Sequence, residues 1–288
     1  MSRLGWAAAG PGRRRGVPHR PATRAARTAT LVAAVGLVLS ACAGGPASPA
    51  PGATAGPTST GTAGAPLTGD LVVFAAASLQ QTFTQLGDAL MAQNPGLHVT
   101  FSFAGSSSLA AQLQQGAPAD VFAAANTSTM KAASDVTDPP VVFAHNTLEI
   151  AVPKGNPGHV TGLADLARPE LKIALCAPEV PCGSAAVAVF AAAGLTPAPD
   201  TYEQDVTATL TKVRLGEVDA ALVYRTDVRS AGDSVQGIDF PQAAAARNDY
   251  PIATLARAPD RAAADAFVAL VLSPQGQRVL ADAGFDGA

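Results

Sequence analysis

The sequence predicts an α/β protein built as two lobes, and two observations support this fold class. Short apolar runs alternate with segments of helical periodicity, a pattern typical of sheets covered by helices on both faces. The alternation comes in two sets, one starting near Leu71 and the other near Leu148, with extended segments between them. We therefore expect each lobe to be a mainly parallel sheet flanked by helices, with a ligand cleft between the lobes.

Each predicted element follows from its local pattern. Strands are expected at residues 71–76, 97–103, 120–125, 148–153, 171–176, 218–224 and 250–256. Helices are expected at 79–93, 107–115, from about Thr127, and at 183–193, 206–215, 261–272 and 274–283. Gly194 and Gly216 are typical residues at helix ends, and Pro274 is typical of a first helical position.

Two loops of the first set are similar to each other. FAAASL (74–79) and FAGSSSL (103–109) each close an apolar strand and open a helix. Each places a serine hydroxyl and free backbone N–H groups at a helix N-terminus, where the helix dipole is positive. Ligands of such sheets bind beyond the carboxyl ends of the strands. Two such helix ends facing one point would form an anion site without any Lys or Arg.

Residues 1–42 have the features of an export signal. Arginines precede a short apolar segment at 30–40, and Leu39-Ser40-Ala41-Cys42 has the form of a lipobox. The apolar segment is too short for a stable membrane span. We predict a lipoprotein signal peptide that ends at Cys42, the residue to be acylated. An ordinary signal peptide is the alternative, and export by the twin-arginine route has weak support.

Residues 43–68 consist almost entirely of Ala, Gly, Pro, Ser and Thr. This composition cannot bury a core, so we predict a disordered tether. All 22 acidic residues follow Cys42, whereas 7 of the 19 basic residues precede it, which leaves 12 basic residues and a net charge of about −10. Nucleic acid is therefore excluded as a partner, because binding it needs a basic surface.

Cys176 and Cys182 flank a short loop. In an exported protein two cysteines this close most often form a disulfide, which is our prediction. A redox dithiol and a metal site completed by a histidine remain alternatives. The metal reading has little support, since the spacing is not that of a zinc motif and no histidine is near in sequence.

Several segments, in this order, resemble the molybdate-binding protein of bacterial ABC importers. They are FAAASL (74–79), FAGSSSLAAQL (103–113), GAPADVFAAA (116–125), APEVPCG (177–183), QDVTATLTKVRLGEVDAALVYRTD (204–227) and YPIATL (250–255). The resemblance implies a type II periplasmic binding protein fold that encloses an oxyanion between its lobes. We expect lobe 1 at 69–147 and 249–288, and lobe 2 at 148–248.

The resemblance also implies a set of anion ligands. Ser78 and Ser106 would each give a hydroxyl and a backbone N–H group. Cys182, where the family often has Ala, and Val206 would each give a backbone N–H group, and Tyr224 would give its phenol. The alternative roles are helix capping for the two serines and packing for Tyr224.

The chemistry of these groups agrees with the resemblance. Molybdate and tungstate are tetrahedral dianions that carry no proton near neutral pH, so their site needs only donors, and all of these groups can donate. Hydrogen phosphate would also need an acceptor. Asp120 and Asp205 occur in the matched segments, but neither is placed as a ligand.

The sequence thus predicts an extracytoplasmic, lipid-anchored solute-binding protein for molybdate and tungstate. It would act as a monomer, without a cofactor, and deliver the anion to the permease and ATPase of an ABC importer. A binding protein for sulfate or another tetrahedral oxyanion is the first alternative. An enzyme on the same fold is the second, and it would need a nucleophile with a base. A surface adhesion protein is the third.

Overall fold

A computed structural model of the chain describes residues 66–288. The predicted signal peptide with Cys42 lies outside the described residues, as does most of the predicted tether. The first strand begins at Thr68, the last residue assigned to that tether. Within residues 66–288, no helix has both the length and the apolar character needed to cross a membrane.

The described residues form eleven strands and eight α-helices. The strands are β1 (Thr68–Ala76), β2 (Gly96–Ala104), β3 (Val121–Ala123), β4 (Val141–Asn146), β5 (Leu148–Pro153), β6 (Ile173–Cys176), β7 (Thr201–Glu203), β8 (Ala220–Tyr224), β9 (Val235–Ile238), β10 (Asn248–Thr254) and β11 (Asp286–Gly287). The helices are α1 (Gln80–Gln93), α2 (Ser106–Gln114), α3 (Thr127–Ala132), α4 (Pro181–Ala193), α5 (Val206–Arg214), α6 (Arg225–Ala231), α7 (Arg261–Leu272) and α8 (Pro274–Ala283).

The strands form two sheets, one in each lobe. The first has six strands in the order β11-β4-β10-β3-β1-β2, and the second has five in the order β7-β6-β8-β5-β9. The two-lobed α/β fold expected from the sequence is therefore confirmed. The residue bounds of the lobes stay a prediction.

The prediction that each sheet is mainly parallel was wrong, because both sheets are mixed. In the first, β1 is parallel to β2 and β3, but β10 is antiparallel to β3 and β4. In the second, β6 is parallel to β7 and β8, but β5 is antiparallel to β8 and β9. Strands β4, β5 and β10 carry the chain between the sheets without the crossover helix that a parallel connection needs.

The two crossings between the sheets lie side by side. The first passes from β4 to β5 through Thr147, and the second returns along the segment 239–247 into β10. Asn146, the last residue of β4, and Asn248, the first of β10, are directly opposite each other in the antiparallel register. Both are buried.

Separate cores hold the two sheets rigid. In the first lobe, Phe83 of α1 and Phe267 of α7 pack edge to face with their ring centroids 5.3 Å apart, and both are fully buried. Phe122 packs with Leu109 on the opposite face of that sheet. In the second lobe every residue of β8 is buried. These cores fix the strand ends, and the helix N-termini that follow them, along the cleft between the lobes.

Candidate anion-binding site

A small cavity lies between the two lobes, beyond the carboxyl ends of β1, β2, β6 and β8. Its free volume is about 10 Å³, the space of roughly one water molecule. Its wall consists of residues 76–78, 104–106 and Ala125 from the first lobe, and of 180–182, 205–206 and Tyr224 from the second. The structure thus brings together all five predicted ligand residues, Ser78, Ser106, Cys182, Val206 and Tyr224. Their role as ligands stays a prediction.

Four helix N-termini meet at the cavity wall. Ser78 lies in the 3-10 turn that leads into α1, Ser106 is the first residue of α2, Cys182 is the second of α4, and Val206 is the first of α5. No side chain caps α2 or α4. Their first N–H groups are therefore open to a ligand, at ends where the helix dipoles favour negative charge.

The two serine hydroxyls do not cap their own helices, which argues against a purely capping role. The N-cap of α2 is Gly105, and the Ser106 hydroxyl instead accepts the backbone N–H of Ala125 at 3.0 Å. The Ser78 hydroxyl lies 3.0 Å from the hydroxyl of Tyr250. Because the Ser106 oxygen already accepts, its proton is available to an acceptor in the cavity.

Tyr224 is a buried phenol whose oxygen also already accepts a hydrogen bond. The side chain of Asn248 donates from Nδ2 to Oη of Tyr224 at 2.8 Å, and Tyr224 is only 1% exposed. Burial, together with the neighbouring Tyr250 and Asp227, raises the pKa of Tyr224 well above its ordinary value. The phenol therefore keeps its proton and can act as a donor.

One carboxylate lies at the cavity, and one of its oxygens already accepts a hydrogen bond. Asp205 is the one acidic residue in the described wall of the cavity, and its carboxylate caps α5 by accepting the N–H of Ala208 at 2.8 Å. Asp120 lies elsewhere, where it accepts the N–H groups of Val72 and Asp260. The N–H and O–H groups of the wall therefore outnumber its one carboxylate, and their role as ligand donors stays a prediction.

The residues behind these hydroxyls were not identified from the sequence. Asp227 caps α6 by accepting the Tyr224 N–H at 2.9 Å, and burial raises the pKa of Asp227 to about 7. Asn248 and Tyr250 stand on β10, far along the chain from the residues they contact. Their alternate positions put them on one face of that strand, but this alternation does not show which residues they contact.

The predicted disulfide is present. Cys176 at the end of β6 and Cys182 in the first turn of α4 are joined, with their Cα atoms 5.7 Å apart. Gly183 follows, and a Cβ atom there would collide with the carbonyl of Ala177. The bond and the glycine thus hold the N-terminus of α4 tightly against its loop. Among residues 66–288 no cluster of His, Cys, Asp and Glu could hold a metal ion.

Two lobes linked by crossing strands and closed over a small cavity of hydrogen-bond donors define a solute-binding protein for a small anion. The comparisons with known proteins agree. The family described as "Bacterial extracellular solute-binding protein" matches residues 71–286. The molybdate-binding protein ModA of Mycobacterium tuberculosis (strain ATCC 25618 / H37Rv) is 46% identical over 218 residues, which cover 75% of this chain and 84% of that protein. The chain belongs to this family of bacterial extracellular solute-binding proteins, together with its ModA relatives.

Solved structures support the fold but do not separate the anions. The periplasmic molybdate-binding protein of Azotobacter vinelandii has a TM-score of 0.66 at 21% identity, covering 75% of this chain and 98% of that one. The sulfate-binding protein SubI of M. tuberculosis H37Rv also has a TM-score of 0.66, at 18% identity, covering 76% of this chain and 87% of that one. The choice of anion must therefore be argued from the site.

Proposed function

We propose that this protein captures molybdate, accepts tungstate as a second ligand, and delivers the anion to the permease and ATPase of an ABC importer. One observation carries the proposal: the cavity hydroxyls of Ser106 and Tyr224 already accept hydrogen bonds from the protein. They are left as donors, which suits a dianion without a proton. The 46% identity to a molybdate-binding protein favours molybdate among such anions.

Hydrogen bonds from neutral donors can supply enough free energy for tight anion binding without a basic residue. Hydrogen bonds to a charged group are worth about 1.5–3 kcal/mol each, so six or seven of them could give submicromolar affinity after the cost of lobe closure. Neutral donors also avoid a buried, unpaired cation when no anion is bound.

Sulfate is the second candidate, because a sulfate-binding protein shares the fold as closely as a molybdate-binding one. Sulfate has the same charge and shape but shorter bonds to oxygen, so cavity size would discriminate between the two. An enzyme is disfavoured, since the described wall of the cavity contains no histidine that could serve Ser78 or Ser106 as a base.

The remaining proposals concern the location and state of the protein. The lipobox supports an extracytoplasmic protein anchored to the membrane through lipid on Cys42. We propose that it acts as a monomer and that the tether 43–68 gives the folded part its reach.

Isothermal titration calorimetry on the chain from residue 43 onward tests the proposed ligand. We expect one-to-one binding of molybdate with submicromolar affinity, tungstate close behind, and sulfate and phosphate much weaker. Tight phosphate binding without a response to molybdate would overturn the proposal. Tight binding of sulfate alone would favour the second candidate.

A further inference from the structure

A chain of hydrogen bonds behind the cavity links a predicted ligand of one lobe to a predicted ligand of the other. The N–H of Ala125 donates to the Ser106 hydroxyl at 3.0 Å, and the carbonyl of Ala125 accepts from Nδ2 of Asn248 at 2.7 Å. The same Nδ2 donates to the Tyr224 hydroxyl at 2.8 Å. Asn248 is therefore the junction between Ser106 and Tyr224.

A second chain runs beside the first. The hydroxyls of Ser78 and Tyr250 are 3.0 Å apart, and Nδ2 of Asn146 lies 3.5 Å from the Tyr250 oxygen. Asn146 also donates to the hydroxyl of Thr226 at 2.8 Å. The two asparagines are register partners at the crossing points between the lobes, so each chain passes through one crossing strand.

The protons of Asn248 determine where the Tyr224 proton can go. An asparagine side-chain nitrogen carries two protons and no acceptor, and a phenol carries one proton. Both Asn248 protons are used, one on Ala125 and one on Tyr224. The Tyr224 oxygen must accept here, so its own proton points to one of two acceptors. These are the hydroxyl of the neighbouring Tyr250, with which Tyr224 forms a hydrogen bond, and an anion in the cavity that Tyr224 lines.

We infer that Asn248 is a positioning residue that fixes Tyr224 as a donor and thereby lets the site discriminate against protonated oxyanions. The inference rests on the proposed function. An oxyanion that carries a proton must place it on an acceptor, and Asn248 occupies one lone pair of the phenol oxygen and so makes that oxygen a poorer acceptor. A residue with no contact to the anion would then contribute to selectivity.

The test compares Asn248→Ala and Asn248→Asp with the parent in the chain from residue 43 onward. Asn94→Asp is the matched control, because Asn94 also bridges backbone groups through its side chain, those of Leu67 and Leu90, and does not line the cavity. The probes are sodium molybdate and sodium phosphate at pH 7, titrated by calorimetry. Urea denaturation shows whether each variant is folded.

In Asn248→Ala we expect molybdate affinity to fall about tenfold, the value of one ordinary hydrogen bond. In Asn248→Asp the new carboxylate takes the Tyr224 proton and leaves the phenol oxygen as an acceptor. The ratio of phosphate to molybdate affinity should then rise at least about tenfold. General loosening of the fold would weaken both anions alike and leave that ratio unchanged.

A double-mutant cycle with Tyr224→Phe completes the test. If Asn248 acts through the phenol, Asn248→Ala should cost little further molybdate affinity once the hydroxyl is absent. Additive losses, or an unchanged ratio in a folded Asn248→Asp, would overturn the inference while leaving the proposed function intact. Failure of the parent to bind molybdate would instead overturn the proposed function, and the inference with it.

Discussion

At the scale of single residues, the Ser106 and Tyr224 hydroxyls of the cavity accept hydrogen bonds from different protein groups. Tyr224→Phe removes one donor, so the free energy of molybdate binding should weaken by about 1.5–3 kcal/mol. It also leaves one buried proton of Asn248 without its acceptor, which should lower the free energy of unfolding. Ser106→Ala should cost similar affinity, but it also leaves the buried N–H of Ala125 without its acceptor. That loss should lower the free energy of unfolding by about 1–3 kcal/mol. Calorimetry with molybdate and urea denaturation separate the two effects.

If both variants bind molybdate as the parent does, the anion is held elsewhere. Ser78 and Ser106 could be predicted from loops at strand ends, and Cys182, Val206 and Tyr224 only through the resemblance to the molybdate-binding family. Asn248 and Tyr250 could not, because their contacts with Tyr224 and Ser78 join positions 24 and 172 residues apart. Local patterns do not report such pairs.

Glu149 on β5 gives a prediction of pH dependence. Burial, with a contribution from Asp239, raises the pKa of Glu149 from 4.5 to about 7, against the opposing effect of Arg225 and Arg229. The folded state therefore holds this proton more tightly than the unfolded state. The free energy of unfolding should fall as pH rises from about 4.5 to 7 and then level off.

Urea denaturation between pH 4.5 and 8 tests this slope. Glu149→Gln should make the fall of the unfolding free energy with pH shallower. Asp227, whose pKa is also about 7, should account for some of the pH dependence that remains. Glu170→Gln is the control, because Arg168 lowers the pKa of Glu170, so its effect on the slope has the opposite sign. An unchanged slope in Glu149→Gln would contradict the assignment.

At the scale of elements, the link between Cys176 and Cys182 positions the first turn of α4. Thiol counting on denatured protein should find neither cysteine free. Replacing both by serine should lower the free energy of unfolding by about 2 kcal/mol, as expected for a short closed loop. Molybdate affinity should fall as well, because the N–H of Cys182 would lose its fixed position. Unchanged affinity would mean that α4 does not contribute to the site.

Elements with strong local signals were predicted well, and those without were missed. The bounds of α7 and α8 match the prediction, since a proline and a regular apolar period mark them. The strands β4, β7, β9 and β11 and the helix α6 were not predicted. β7 has only three residues, and α6 follows β8 directly without a turn residue between them. The direction of β5 and β10 was predicted wrongly, because these strands pass between the sheets without the crossover helices that a parallel sheet requires.

At the scale of the whole molecule, two contacts between the lobes add to the hydrogen bonds at the crossing strands. Gly105 of the first lobe lies so close to the carbonyl of Gln204 in the second that a Cβ atom would collide with it. Arg225 of the second lobe donates to the carbonyl of Gly284 at 2.9 Å and pairs with Asp286 at 2.9 Å. The Gly105 contact lies at the cavity, whereas Arg225 lies next to the first crossing, where its N–H donates to the carbonyl of Thr147.

Gly105→Val should therefore prevent full closure while leaving each lobe folded. Because the donors of the two lobes could no longer reach one anion together, we expect molybdate affinity to fall by at least about a hundredfold. Small-angle scattering with molybdate should show a larger radius than the parent has. Arg225→Ala should have a milder effect, mainly through faster release. If the Gly105→Val variant closes and binds molybdate as tightly as the parent, the close approach of Gly105 to Gln204 is not required for closure.

The absence of Lys and Arg from the described wall of the cavity has a kinetic consequence. The part of the chain after Cys42 has a net charge of about −10 and repels an approaching anion at long range. The anion meets its favourable partners, which are neutral dipoles, only on contact. Added sodium chloride screens the long-range repulsion but has little effect on the hydrogen bonds that the donors make inside the cleft. Stopped-flow measurements should therefore show molybdate associating faster as ionic strength rises, while its release rate stays nearly constant. A protein that captured anions with an exposed arginine would show the reverse trend.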